Sequence, residues 1–198
     1  MKRKTVAVGS YGTNCTILEG PDGTWIVDPG GDCERIEREL GGFGAEVSRI
    51  LLTHAHFDHI GAVSALLRRH PGATLCLHPA DRAVYAHPFN AFPPEYPHAE
   101  LPKGAADCRE VHGMTTIETP GHTPGGVCYY FPGDSLLLSG DTLFAGSVGR
   151  TDLPGGSMTT LMASLEKLKT LPGDTEVIPG HGAFTTIAAE LAVNPFLA

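Results

Sequence analysis

Between a short apolar run, Arg49-Ile50-Leu51-Leu52, and a segment of helical character, Ile60 to Arg69, the chain reads Thr53-His54-Ala55-His56-Phe57-Asp58-His59. Four metal-capable side chains within six residues constrain the fold more than anything else in the sequence. Crowded imidazoles and carboxylates are stable together when a cation joins them, and a strand-to-helix loop is a common place to hold one. In an extended backbone alternate side chains share a face, so His54, His56 and Asp58 are expected to converge while His59 points elsewhere. One loop can then feed two ions. Imidazole nitrogen and carboxylate oxygen suit zinc, iron and manganese, and no nearby cysteine points to a purely structural zinc knuckle.

Three further candidates sit in Gly-flanked turns at the ends of predicted strands. They are His122 in Thr119-Pro-Gly-His-Thr-Pro-Gly125, Asp141 in Ser139-Gly-Asp-Thr142, and His181 in Ile178-Pro-Gly-His-Gly182. Each alone reads as an ordinary turn residue. With the first cluster they make seven ligands, His54, His56, Asp58, His59, His122, Asp141 and His181, enough for two divalent ions. Asp141 is the expected bridging carboxylate, with room for a shared hydroxide.

The rest of the chain predicts one compact domain over residues 1–198. Strands are expected at Thr5–Val8, Thr13–Leu18, Thr24–Val27, Arg49–Leu52, Thr74–Leu77, Thr116–Glu118, Val127–Phe131, Leu136–Ser139 and Thr175–Ile178. Helices are expected at Glu34–Leu40, Ile60–Arg69, Pro79–Tyr85, Thr159–Leu171 and Thr186–Val193. Strand clusters with helices interleaved in both halves predict two packed sheets with helices on the outer faces, an α+β fold. Residues 87–104, rich in proline and aromatics, form a long loop that reads either as a lid carrying Phe89, Phe92 and Tyr96 or as a loop packed on its own aromatics. His70, His78, His87, His98 and His112 lack ligand spacing and read as surface or turn residues.

A net charge of −8 repels phosphate backbones and anionic lipid, so neither nucleic acid nor a membrane is the expected partner. The N-terminus, MKRKTVAVGSYG, leads into an alternating run and carries no recognisable export signal. Five scattered cysteines, none in a Cys-x-x-Cys pair, fit reduced structural thiols in the cytoplasm.

The His-x-His-x-Asp-His loop followed by single His, Asp and His residues resembles the metallo-β-lactamase superfamily, over nearly the whole chain. The resemblance implies an αββα sandwich with the metals at one edge of two mixed sheets. It places His54, His56 and His122 on one ion, Asp58, His59 and His181 on the other, and Asp141 between them. Zinc is the ion expected first, with iron or manganese accommodated. Asp28, in Val27-Asp-Pro-Gly-Gly31, matches a family aspartate that orients a ligand from behind; a simple turn aspartate is the other reading.

Within the superfamily, Asp141 stands where the commonest dinuclear β-lactamases have cysteine. The run Gly140-Asp-Thr-Leu-Phe144 and the stretch Pro179 to Leu197 are similar to glyoxalase II and a short bacterial subgroup of it. That likeness implies hydrolysis of a thioester such as S-lactoylglutathione by a metal-bridging hydroxide, with Asp58 as catalytic residue. The chain departs from full-length glyoxalase II in two ways. Only seventeen residues follow His181, so no appended C-terminal substrate domain is expected, and the substrate lysine and tyrosine are replaced by Arg150 and Asp152. Arg150 remains the expected substrate-binding cation. Gly149-Arg-Thr-Asp152 also resembles the persulfide dioxygenases, which would use one iron on His54, His122 and Asp141. Hydrolysis of another small ester or lactone is a third possibility. In each case the expectation is a monomer or homodimer acting on a small molecule.

Overall fold

The computed structural model describes residues 1–197. Strands β1 (Arg3–Val8), β2 (Thr13–Gly20) and β3 (Gly23–Val27) form an antiparallel meander, its second turn at Pro21-Asp22, one residue before the Asp22-Gly23 signal in the sequence. Helix α1 (Cys33–Leu40) leads to β4 (Val47–Leu51), which pairs parallel with β3. Helices α2 (Phe57–Ile60) and α3 (Val63–Arg69) precede β5 (Thr74–Leu77). After α4 (Arg82–Tyr85) and the 87–104 loop, β6 (Ala106–Asp107) closes a six-stranded mixed sheet of order β1-β2-β3-β4-β5-β6.

The second half repeats the plan. Strands β7 (Thr115–Glu118), β8 (Val127–Phe131) and β9 (Leu136–Gly140) run antiparallel and are followed by the small hairpin β10 (Leu143–Phe144) and β11 (Ser147–Val148). Helix α5 (Met158–Leu168) then leads to β12 (Glu176–Pro179), β13 (Thr185–Thr186) and α6 (Ile187–Val193). The second sheet has order β13-β12-β9-β8-β7.

Alternation along the strands assigns each apolar residue to one of three cores. Leu18, Trp25, Val27, Leu51 and Cys76 of the first sheet meet Tyr129, Phe131, Leu136, Leu138 and Ile178 of the second. Their neighbours point the opposite way. Ile17, Ile26, Ile50 and Leu75 pack under Ile36 of α1 and Val63 and Leu66 of α3, while Cys128, Leu137 and Val177 pack under Leu161, Leu165 and Leu168 of α5. Both sheets are therefore covered on both faces, which is why the central strands β3, β8 and β9 are apolar on both sides while the edge strands β1 and β7 carry polar residues. The result is the four-layer α+β sandwich expected from the sequence.

Helix boundaries follow local chemistry. Ser157 accepts from Thr160 N at 3.2 Å and starts α5, and Thr186 accepts from Ala189 N at 3.2 Å and starts α6. The helix expected over Ile60–Arg69 is instead two helices broken at Gly61-Ala62. There the chain lies against another loop: Ala62 N donates to Pro29 O, and a Cβ on Gly61 would stand 2.3 Å from Gly30 O. Pro79–Asp81 is a 3-10 turn, so the helix expected from Pro79 begins at Arg82, and α5 stops at Leu168 before the expected Leu171. The two-residue strands β6, β10, β11 and β13 are too short to leave a period in sequence.

All five cysteines are free. Burial pushes the Cys128 thiol up to about 11 and raises that of Cys15 further, so neither is a nucleophile at neutral pH.

Leu138 is 2% exposed in the core between the sheets. Leu138→Ala should lower unfolding free energy by about 2–5 kcal/mol in urea titrations with an unchanged m-value. Leu191→Ala, on the exposed face of α6, should change it by less than about 0.5 kcal/mol.

Candidate metal centre

The parallel pairs β3–β4 and β9–β12 bring four strand ends to one edge of the sandwich. Asp28 follows β3, the His54–His59 loop follows β4, Asp141 follows β9 and His181 follows β12; His122 arrives on the turn between β7 and β8. Asp28 holds the backbone in the left-handed region, with φ of +50°, and is 2% exposed. In that pose its Oδ1 accepts from Thr53 N at 2.8 Å and its Oδ2 from Thr53 Oγ1 at 2.6 Å, which anchors the start of the histidine loop. Its Oδ2 also lies 3.1 Å from His59 Nδ1. Asp28 is thus more than a turn aspartate.

The seven candidate side chains converge. Ligand atoms within 4.8 Å of one another occur in three groups: His54, His56 and His122; His54, His59 and Asp141; and Asp58, His59 and His181. One sequence expectation is corrected here. Asp58 does not share a face with His54 and His56, because the backbone leaves the extended form at Phe57 and enters α2. Helical rotation turns Asp58 toward His181, whose Nε2 is 3.2 Å from Asp58 Oδ2.

Asp141 stands between the groups, its Oδ2 3.6 Å from His122 Nε2 and its Oδ1 3.4 and 3.7 Å from Nε2 of His59 and His181. Gly180 makes room for it, since a Cβ there would stand 2.1 Å from Asp141 Oδ1. Carbonyl groups fix two of the rings: His122 Nδ1 donates to Arg150 O at 2.7 Å and His181 Nδ1 donates to Tyr11 O at 3.0 Å. Those bonds leave both Nε2 lone pairs aimed into the cluster.

The electrostatics suit a cation. Burial, then the neighbouring His59, holds His54 well below the usual histidine range; burial and His122 lower His56 to about 3. Both are neutral imidazoles with lone pairs available. His59 goes the other way. Burial opposes its protonation, but Asp141, Asp28 and Asp58 outweigh that and hold it well above the usual range. The carboxylates therefore project a field that favours positive charge where His59 and His181 meet. His54 Nε2, His56 Nε2 and Asp141 Oδ1 are buried without any hydrogen-bond partner. Nitrogen and oxygen donors left open in this way fit a divalent metal.

The cluster opens onto a cleft of about 330 Å³ lined by Tyr11, Phe57, Leu153 and Arg150 together with five of the seven candidate ligands, His54 and His59 lying behind them. Arg150 is at the rim, 61% exposed, and forms a bidentate pair with Asp152 at 2.7 Å for each contact. The 87–104 segment does not line this cleft. Phe92 stacks on Phe57 at 6.0 Å and Tyr96 meets Phe57 edge-on at 5.0 Å, so the segment's aromatics pack from outside against a residue of the cleft wall rather than on one another. The five other histidines lie outside the cluster. Tyr11 and Leu153 carried no motif and were invisible in sequence.

The model for the metallo-beta-lactamase superfamily matches residues 8–181, nearly nine-tenths of the chain. The chain belongs to the metallo-beta-lactamase superfamily. It is 31% identical, over all of this chain and 98% of the relative, to the hydroxyacylglutathione hydrolase GloC of Haemophilus influenzae. A crystal structure described as the B3 metallo-beta-lactamase BLEG-1 is 38% identical, covers 99% of each chain and superposes with a TM-score of 0.88. TTHA1623, solved in a di-iron-bound form, is 38% identical over 98% of this chain and all of that one, with a TM-score of 0.82. Membership of this superfamily together with the His/Asp cluster makes this the site of a metal-dependent hydrolase.

Loading chelator-stripped protein with a divalent cation at about 1,000 times its dissociation constant should add about 4 kcal/mol of stability. For a domain of this size that raises the melting temperature by roughly 10 °C. Scanning calorimetry should show the shift, and Asp141→Asn should remove most of it.

Proposed function

We propose that the chain is a dinuclear metal-dependent thioesterase of the glyoxalase II type, hydrolysing a small acyl thioester such as S-lactoylglutathione. The observation that carries the two-ion reading is the split of Asp141, with one oxygen toward His122 and the other toward His59 and His181. On this reading His54, His56 and His122 hold one ion, Asp58, His59 and His181 hold the other, and Asp141 joins them. Zinc is the proposed metal, with iron or manganese fitting the same donors. Bound cations of this kind polarise an acyl oxygen and acidify water to near neutral pH.

The chain's own groups complete the site. Asp58, 9% exposed on the cleft wall, holds its ion and orients the attacking water through its carboxylate. Tyr11 and Phe57 flank the acyl group and exclude bulk water. Arg150 meets a carboxylate of the thiol carrier, after exchanging Asp152 for it at the solvent-exposed rim. The likeness to GloC, over all of this chain and 98% of that one, supports this substrate class.

No helix among the described residues is long and apolar enough to cross a membrane. With unpaired cysteines and a net charge of −8, a cytoplasmic monomer or homodimer with a freely diffusing small-molecule substrate is the setting we propose.

The test is a side-by-side assay of metal-loaded enzyme with S-lactoylglutathione, a cephalosporin, and glutathione persulfide in an oxygen electrode. Thiol release, abolished by chelation and unaffected by removing oxygen, is expected to dominate. Faster opening of the cephalosporin, or oxygen uptake with the persulfide, would contradict the proposal. Asp58→Ala should cut kcat by at least about 100-fold with the fold intact. Arg150→Ala should raise KM several-fold and leave kcat unchanged, since an exposed guanidinium is worth about 1 kcal/mol or less.

A further inference from the structure

A buried carboxylate that reaches neither the cleft nor any of the seven candidate ligands ties two ligand loops together. Asp81, in the turn after β5, is 0% exposed. Its Oδ2 accepts from Ala55 N at 2.9 Å and from Thr123 Oγ1 at 2.9 Å, and its Oδ1 accepts from Gly125 N at 2.6 Å. Ala55 is the residue between His54 and His56. Thr123 and Gly125 belong to the turn that carries His122. One carboxylate thus bonds both loops of the same histidine group. Burial pushes its carboxyl up, and the Thr123, Gly125 and Ala55 donors pull against that.

The Ala55 segment is also held from its carbonyl side. Asn90, 1% exposed, donates from Nδ2 to Ala55 O at 2.7 Å and to Tyr85 O at 3.3 Å. Ala55 is therefore fixed through both its N–H and its C=O by buried side chains from a single stretch of chain. Gly125 is part of the same fit, since a Cβ there would stand 2.8 Å from Asp81 Oδ1.

The opposite group of ligands rests on other supports. Asp28 carries Thr53 and faces His59, Thr13 Oγ1 donates to Asp58 O at 2.7 Å, and Asn14 Nδ2 donates to Pro179 O and Gly182 O on either side of His181. The bonds of Asp81 reach none of these. The two halves of the centre hence lean on different side chains, which overlap only where Asp28 holds Thr53 beside His54 and where both halves face Asp141.

We infer that Asp81 is a positioning residue that locks His54, His56 and His122 into one unit and so sets the affinity of one ion of the pair without setting that of the other. The inference rests on the two-ion reading above. Asp81→Asn keeps the shape but turns an acceptor into an NH₂ that faces a donor, so at least one of the three bonds is lost. Displacing groups that orient ligands typically costs 10–100-fold in metal affinity.

The experiment is a Zn²⁺ titration of stripped wild type, Asp81→Asn and Asn90→Ala against a chromophoric chelator, with circular dichroism of each stripped protein as the folding control. Zinc-edge anomalous diffraction then locates the weakened position. Wild type should bind two equivalents. Asp81→Asn should lose 10–100-fold in affinity for one of them, at His54, His56 and His122, and stay within about twofold for the other. Asn90→Ala should weaken the same equivalent by less, and it carries the test alone if Asp81→Asn does not fold. Equal weakening of both equivalents, weakening of the Asp58 side, or no change overturns the role given to Asp81. A single equivalent in wild type overturns the two-ion reading itself, and the variants are then judged on that equivalent, where unchanged affinity rejects the positioning role separately.

Discussion

Buried lone pairs are stable only when something meets them, and this fold gathers several that meet nothing of the protein's own. His54 Nε2 and His56 Nε2 are shielded from water without a hydrogen-bond donor, and Asp141 Oδ1 has only the long approaches of His59 and His181 at 3.4 and 3.7 Å. Carboxylates on the other side of the cluster hold His59 toward the charged form. Both facts express one constraint: the centre lacks positive charge, and its donors are spaced to receive it. The surrounding architecture reads as the means of keeping those donors in place at the cost of leaving them unpaired.

That cost is carried by rigid elements. Each ligand except His122 follows the end of a strand buried on both faces, and parallel pairing within each sheet puts those ends on one edge. Behind the candidate ligands stands a layer of groups that hold the backbone of the ligand loops, Asp28 facing His59 as well. Asp28 fixes Thr53, Asn14 fixes the loop of His181, and Asp81 joins the loops of His56 and His122. Glycines at 30 and 180 allow these loops to approach within distances that a Cβ would forbid. The loops that carry the candidate ligands are thereby held by the protein's own bonds, which is the condition for a well-ordered centre.

Much of this was legible in the sequence, for reasons that differ by residue. The His54–His59 loop announced itself through density, and His122, Asp141 and His181 became meaningful once that loop supplied a context. The layered sandwich followed from clusters of strands with helices interleaved in both halves, and the division of Val127–Phe131 between two cores became visible only in the structure. The face shared by Asp58 was misread because the periodicity argument assumed an extended backbone where a helix begins at Phe57. The break at Gly61 was missed because it arises from contact with Gly30, thirty-one residues earlier in the chain. Asp81 left no signal, since an aspartate after His78-Pro79-Ala80 looks like any turn residue until three donors are seen around it.

The central claim is that two cations share Asp141. The most direct measurement is anomalous diffraction from crystals of the metal-loaded protein, collected on either side of the metal's absorption edge. The account predicts two peaks flanking the Asp141 carboxylate, about 3.5–4 Å apart, one against His54, His56 and His122 and the other against Asp58, His59 and His181. A single peak at saturating metal, or density away from these side chains, would contradict it.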